Sequence, residues 1–177
     1  MELEKCISER RSIRKYKNIE VSKEQIIKLI EAAQKAPSWK NSQVSRYYAI
    51  TTKKIKDQII TCLPEFNQIN IKNASTIIVT TVEKNKSGCD QQGNYITHLK
   101  EGFQYFDNGL QVENLCLKAH ELGLGTLIMG IYDKDKIRKL LEIPLTEEIT
   151  AVIGIGYPDI RPTMPLRKSV EKILHFK

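Results

Sequence analysis

The stretch Ser75-Thr76-Ile77-Ile78-Val79-Thr80-Thr81-Val82 constrains the fold more than any other part of the sequence. It is largely apolar and β-branched, and it holds no glycine, proline or charge. Such a run reads as an interior strand. Apolar runs such as Ile77-Ile78-Val79 are only a handful of residues long, so no segment is expected to span a bilayer and no membrane partner is expected. A chain of 177 residues, 41% hydrophobic and 28% charged, can bury a real core but is short for two. One domain over residues 1–177 is therefore expected.

The surrounding elements follow from periodicity and punctuation. Leu3, Cys6 and Ile7 share one face of a short helix over 2–9. Ser22 and Gln25 have capping-box spacing before a second helix, which carries Ile26, Ile30 and Ala33 on one side and stops at Pro37. Arg46 to Thr52 reads as a strand, and a helix follows from about Lys54 to Leu63. The polar stretch 83–100, with Gly88 and Gly93, reads as a loop; one so long in a compact domain is often functional. Phe103, Phe106, Leu110, Leu115, Leu117 and Leu122 cover more than one helical face, predicting a long helix over 102–122 buried on most sides and ended by Gly123. Gly125 to Gly130 is a short strand or turn. Asp133 caps another helix, with Ile137 and Leu141 facing inward, and Ile149 to Gly156 is a last strand. Beyond Tyr157, three prolines predict an extended run over a surface. Helices lead and strands come singly between them, so the fold class is α+β, layered, and not a regular βαβ array.

Several function classes are excluded. The net charge is +7, but lysine is spread along the chain, which suits solvated faces. No basic stripe is interleaved with aromatics and no helix-turn-helix or zinc-finger spacing occurs, so no nucleic-acid partner is expected. Cys6, Cys62, Cys89 and Cys116 are unpatterned and His98, His120 and His175 are scattered, so no metal site is expected. Unpaired cysteines and a start without a basic-then-apolar leader predict a reducing, cytoplasmic setting. Gly154-Ile155-Gly156 lacks a third glycine and runs into Pro158, so it is no dinucleotide loop. Walker, HExxH and Gly-x-Ser-x-Gly motifs are absent.

Two segments carry chemistry. Arg10-Arg11-Ser12-Ile13-Arg14 gathers three guanidiniums and a hydroxyl just past a helix. The guanidinium fork matches phosphate oxygens. In an extended segment Arg10, Ser12 and Arg14 point one way and Arg11 faces away. The same residues also suit a basic loop drawn to the preceding helix dipole. In Ala36 to Gln43, Pro37 breaks a helix and Ser38, Asn41 and Gln43 offer donors and acceptors around Trp39, the only tryptophan. By itself this could equally be a polar turn with Trp39 tucked onto the core.

Taken in order, these segments resemble the nitroreductase family of flavoproteins. Its Arg-x-Ser-x-(Arg/Lys) pattern falls at Arg10, Ser12 and Arg14, and its Pro-Ser-x-x-Asn-x-Gln pattern at Pro37, Ser38, Asn41 and Gln43. Gly123-Leu124-Gly125-Thr126 then leads to Met129-Gly130, and Pro165-Leu166-Arg167-Lys168 closes the series, so the resemblance covers nearly the whole chain. It implies a nitroreductase-like, FMN-dependent fold: a central, mostly antiparallel sheet flanked by helices, in an intertwined homodimer whose extension 157–177 wraps the partner subunit. It implies FMN held non-covalently at the dimer interface. Arg10 and Arg167 would hold the phosphate with Ser12 nearby, and Arg11 belongs to the same binding segment. Arg14 would reach the pyrimidine edge. Pro37, Ser38, Trp39 and Asn41 would meet the flavin from the other subunit. Asn67 stands where the family often has a flavin-binding asparagine, and Asn70 where some members have a lysine. The Met129-Gly130 backbone would approach N5.

The implied activity takes hydride from NADH or NADPH and passes electrons to a nitroaromatic, quinone or similar small acceptor in a ping-pong cycle. The chemistry would sit at flavin N5, with no catalytic protein residue. Phe103 and Phe106 are candidates for the substrate wall, and equally for plain helix core. Two departures from the family pattern stand out. Gln43-Val44-Ser45 replaces the common Gln-Pro-Trp, with tryptophan at 39 instead, and a neutral Asn70 stabilises an anionic flavin less than a lysine would. The alternative function is a flavin-binding or sensory module of the same fold without turnover.

Overall fold

The computed structural model describes residues 2–177. Four strands form one sheet: β1 (Ser45–Ile50), β2 (Thr76–Glu83), β3 (Gly125–Met129) and β4 (Glu147–Gly156), in the order β1-β2-β4-β3. Every pairing is antiparallel. The apolar run holds an interior position in β2, buried from Thr76 to Val82, because β1 and β4 flank it and helices cover both faces.

Six helices supply that cover: α1 (Leu3–Glu9), α2 (Lys23–Ala33), α3 (Lys53–Thr61), α4 (Glu65–Ile71), α5 (Gly102–Glu121) and α6 (Lys134–Leu140). Alternation along the strands sorts them into two layers. Ile77, Val79 and Val152 face Ile59, Ile71 and Ile137 of α3, α4 and α6. Ile78, Ile153 and Ile155 face Ile26, Leu29 and Ala33 of α2 and Val112, Leu115 and Ala119 of α5. The Ser22–Gln25 capping box forms as its spacing requires, and Asp133 caps α6.

Three expectations need correction. Helix α4 was not anticipated, because its pattern misleads. Phe66 and Ile69 are exposed, while Asn67 and Ile71 turn inward. On α1, only Cys6 is buried, and Leu3 and Ile7 stay exposed.

The larger correction concerns α5, expected to be buried through its apolar residues. Of those six, Leu115 alone is fully buried, and Phe106 is 56% exposed. The sheet-facing stripe of its first half is polar: Gln104, Asp107, Asn108 and Gln111. For Asn108 and Gln111 the reason lies in the strands beneath, which present hydroxyls. Asn108 Nδ2 donates to Ser45 Oγ at 2.9 Å and Thr80 Oγ1 at 3.0 Å, and its Oδ1 accepts from Thr150 Oγ1 at 2.8 Å. One carboxamide thus ties α5 to β1, β2 and β4. Tyr47 on β1 adds a hydrogen bond to Gln111 Oε1 at 3.0 Å. Buried polar atoms left without partners are costly, so helix and sheet specify each other here.

The C-terminal stretch is anchored only at its root. Tyr16 and Pro158 form a β-bridge, and Lys15 pairs with Asp159 at 3.1 Å. Residues 160–162 still border a cavity beside Arg10, and beyond Pro162 every residue is exposed; Leu166 is 101% and Phe176 91% exposed. Among the described residues no helix is long and apolar enough to cross a membrane.

Asn108→Ala removes one side chain and takes a partner from the Ser45 and Thr80 hydroxyls, while Thr150 keeps its bond to the Thr80 carbonyl. Urea denaturation is expected to register a loss of about 2 kcal/mol or more, the scale of unsatisfied buried polar groups. A loss below about 0.5 kcal/mol would mean the hydroxyls re-pair and the carboxamide is not the tie.

Candidate functional site

Strand β3 is an edge of the sheet, and residues 12–13 dock against it. Ser12 bridges Thr126 in parallel, and Ile13 N donates to the Thr126 carbonyl at 2.9 Å. Buried Ile13 sits directly over Gly125, where an added Cβ would lie 2.4 Å from Ile13 Cγ1. A glycine is needed there for close approach and not for an unusual turn. The buried Tyr16 hydroxyl then donates to the Ile13 carbonyl at 2.8 Å. Burial pushes the Tyr16 phenol far above its usual range, so it remains a donor at all ordinary pH. Lys17 N donates to the Tyr157 carbonyl at 2.9 Å, fixing the end of the segment to the tail root.

Because residues 10–14 run parallel to β3, Arg10 lies toward the Gly125 end and Arg14 toward Met129-Gly130. Arg10 Nε is 3.4 Å from Glu113 Oε1 on α5. Arg10 and Arg11 line a cavity of about 690 Å³, shared with His120, Thr126 and Arg161. The Arg11 guanidinium turns back to the carbonyls of Ser8 at 2.6 Å and Arg10 at 2.7 Å. Ser12 is half-buried and Arg14 exposed, and among the described residues Arg14 makes no hydrogen bond or ion pair. His120 is shifted toward its neutral form. Burial lowers its pKa; Glu9 opposes this, while Arg10, Arg11 and Lys5 add to it. Met129 is buried, whereas Gly130 is exposed and an added Cβ there would meet nothing within 4 Å.

Asn67 and Asn70 lie on α4. Asn67 is buried one turn before Ile71, whose core cluster also holds Ile13, Leu127 and Met129; Asn70 is half-buried. Arg167 lies on the exposed tail.

The second segment feeds β1, the opposite edge of the sheet. Trp39–Asn41 form a short 3-10 turn, and Ser38 Oγ accepts from Gln43 N at 3.1 Å. Lys40, Asn41 and Gln43 hold φ values of 45°, 56° and 47°, a left-handed conformation that costs about 1–3 kcal/mol per non-glycine residue. Pro37 and Asn41 are exposed, and Ser38 and Trp39 are half-buried. The Trp39 ring meets Phe103 edge-on at 4.9 Å, and Phe103 lies 5.6 Å from Phe106. The stretch 83–100 is folded on itself: Asp90 accepts from Gln92 N and Asn94 N, both at 2.9 Å.

The two segments do not converge within one chain. Strands β1 and β3 stand three strand spacings apart, about 14 Å. They also sit at opposite ends, since Ser45 is level with Val82 and Glu148 while Gly125 is level with Gly156. Sequence reasoning missed Asp107 and Ser87, whose partners are remote in sequence, and Tyr16, whose hydroxyl also reaches the distant Gly154 carbonyl at 3.2 Å. Gly125 lay inside a recognised motif, but its contact with Ile13 had no sequence signal.

Comparison with known proteins gives a consistent result. The model of the nitroreductase family matches residues 7–157. A Methanothermobacter thermautotrophicus protein assigned as an NADH dehydrogenase/NAD(P)H nitroreductase is 30% identical over 168 residues, 92% of this chain and 80% of the relative. The FMN reductase [NAD(P)H] of Bacillus subtilis is 25% identical over 98% of this chain and 73% of its own length. A crystal structure from Exiguobacterium sibiricum, of a protein assigned as a nitroreductase and solved in complex with FMN, superposes with a TM-score of 0.88. It is 23% identical and covers 100% of this chain and 98% of that one.

The Ile13–Gly125 contact predicts a specific coupling. Gly125→Ala should cost about 1–3 kcal/mol by overpacking. Gly125→Ala/Ile13→Ala should cost less than the sum of the two single substitutions in a denaturation cycle. Strict additivity would show that the two residues do not press on one another.

Proposed function

The chain belongs to the nitroreductase family, and from that premise we propose that it is an FMN-dependent oxidoreductase. It would take hydride from NADH or NADPH and pass electrons, in a ping-pong cycle at one site, to a small acceptor such as a nitroaromatic or quinone. The observation that carries this reading is the alignment of residues 10–14 with β3. It sets Arg10, Ser12 and Arg14 in a row that leads to the open backbone of Gly130. That row fits an anionic group at one end and a flat ring at the other.

Bound FMN would supply the two-electron, hydride-accepting chemistry at its N5. The residues supply grip, field and access. Arg10 offers a fork to the phosphate, and Arg167 would add a second. Arg14, with no partner of its own, would set a positive charge beside the pyrimidine edge. A cation there favours an anionic ring and raises its potential. Asn70, where a second cation would strengthen that effect, contributes only a dipole. Gly130 lets the backbone come close, since no side chain intervenes. Cys62, Cys89 and Cys116, free and buried, suit a reducing, cytoplasmic setting.

A second copy completes the site on this reading. Pro37, Ser38, Trp39 and Asn41 lie at the wrong corner of their own sheet to meet a ligand held by Arg10–Arg14, and a partner's turn would fill that place. The α5 surface agrees. Phe106, Gly109 and Glu113 are exposed along one side, and an added Cβ at Gly109 would meet nothing. A mid-helix glycine costs about 1 kcal/mol against alanine, a cost that close approach of another helix would explain. The bare apolar residues of the tail would be covered by wrapping the partner.

Two tests follow. Anaerobic stopped-flow should show reduction of bound FMN by a nicotinamide and reoxidation by a quinone or nitroaromatic. FMN binding without steady-state NAD(P)H oxidation would instead mark a non-turnover flavin module. Arg14→Gln should lower the flavin potential by about 30 mV or more, equivalent to about 1.4 kcal/mol for two electrons. For the dimer, Gly109→Leu fills open space in the single chain, so the fold should persist while sedimentation reports dissociation at least tenfold easier. An unchanged dimer would place the interface elsewhere.

A further inference from the structure

Asp107 is a carboxylate only 1% exposed, on the sheet-facing side of α5. A single oxygen, Oδ2, accepts three hydrogen bonds: from Trp39 N at 3.0 Å, Ser42 Oγ at 3.4 Å and Ser87 Oγ at 2.6 Å. Two of these donors sit at the two ends of the 39–42 turn. The third is a fully buried serine in the stretch 83–100. Phe103, one helical turn before Asp107, meets the Trp39 ring at 4.9 Å. Helix α5 therefore grips residue 39 twice, by its ring and by its backbone amide.

The turn needs such a grip. Three of its residues are non-glycines in left-handed conformation. Backbone strain of this kind persists only where the surroundings over-determine it. Hydrogen bonds to an ionised acceptor are about twice as strong as neutral ones, which suits a buried carboxylate to this task.

We propose that Asp107 is a positioning residue. It holds the 38–43 turn in its strained form, ties that turn to the 83–100 loop, and thereby sets the cofactor affinity of the face that the turn presents to the partner subunit. The mechanical part stands on the contacts above. The cofactor part rests on the FMN reading of the preceding subsection.

The test uses the full chain with Asp107→Ala and Asp107→Asn. Trp39 is the only tryptophan and its amide is one of the three donors, so its fluorescence reports the turn directly. In Asp107→Ala, acrylamide should quench apoprotein tryptophan emission at least twofold more effectively, and the FMN dissociation constant should rise at least tenfold. Asp107→Asn keeps an acceptor oxygen but loses the charge, and should fall between, with a three- to fivefold rise in that constant and an unchanged far-UV circular dichroism spectrum. If Asp107→Ala does not fold, Asp107→Asn alone decides. Quenching and FMN affinity within twofold of the parent in the folded variants would overturn the proposal. So would weakened FMN binding with Trp39 as protected as before, because that is what general destabilisation gives. Failure of the parent chain to bind FMN would sink the cofactor reading, while quenching would still report whether Asp107 holds the turn.

Discussion

The contact of Ile13 with Gly125 sets where the basic segment can be. An edge strand offers a row of free backbone groups, and any extended peptide could pair with it in more than one register. The buried side chain of Ile13 removes that freedom. It fits only over a residue without a Cβ, and its position brings Ser12 level with Thr126. Tyr16 then locks the following turn by donating to the Ile13 carbonyl, and the tail root closes against residues 15–17. Arg10, Ser12 and Arg14 inherit their places from this packing. The guanidiniums do not organise the segment; they ride on an apolar anchor between them.

Helix α5 plays the same part for the other half of the candidate site. Its polar stripe looks out of place in a core until the strands beneath are considered. Asn108 meets three hydroxyls, Gln111 meets Tyr47, and Asp107 meets the turn and the loop. A purely apolar face would have bound the helix to the sheet without fixing its rotation. Directional hydrogen bonds fix it to within a fraction of a turn. That rotation decides which residues α5 turns outward, and these include Phe106, Gly109 and Glu113.

This division explains what the sequence made legible. Local signals were sound: the capping box at Ser22, the interior run at 76–82, the break at Pro37 and the glycine after α5. Each depends on neighbours within a few residues, where periodicity and turn chemistry act. Signals that depend on remote partners were not legible. Leucine and phenylalanine on α5 counted as core because hydrophobicity ordinarily goes inward. The actual core positions were amides and a carboxylate, whose partners lie as many as 68 residues away. Helix α4 was hidden for the same reason, since Phe66 and Ile69 face outward and Asn67 faces in. The family resemblance supplied what periodicity could not, the family itself and with it the expectation that distant segments serve one site.

The arrangement also bears on why such a site would be divided between two chains. Arg10–Arg14 and the 38–43 turn stand at diagonal corners of a sheet whose middle is filled by β2 and β4, so no loop movement within one chain joins them. The outward face of α5 carries an unfilled glycine, the tail carries bare apolar side chains, and both would be liabilities for a lone subunit. In the proposed dimer, association would cover these surfaces and, in the same step, bring one copy's turn to the other copy's arginine row. Cofactor binding and dimer formation would then draw on the same contacts, and each would stabilise the other by mass action. A substitution far from the arginines, on the outward side of α5 or in the tail, would on this logic weaken the site without touching any residue that lines it.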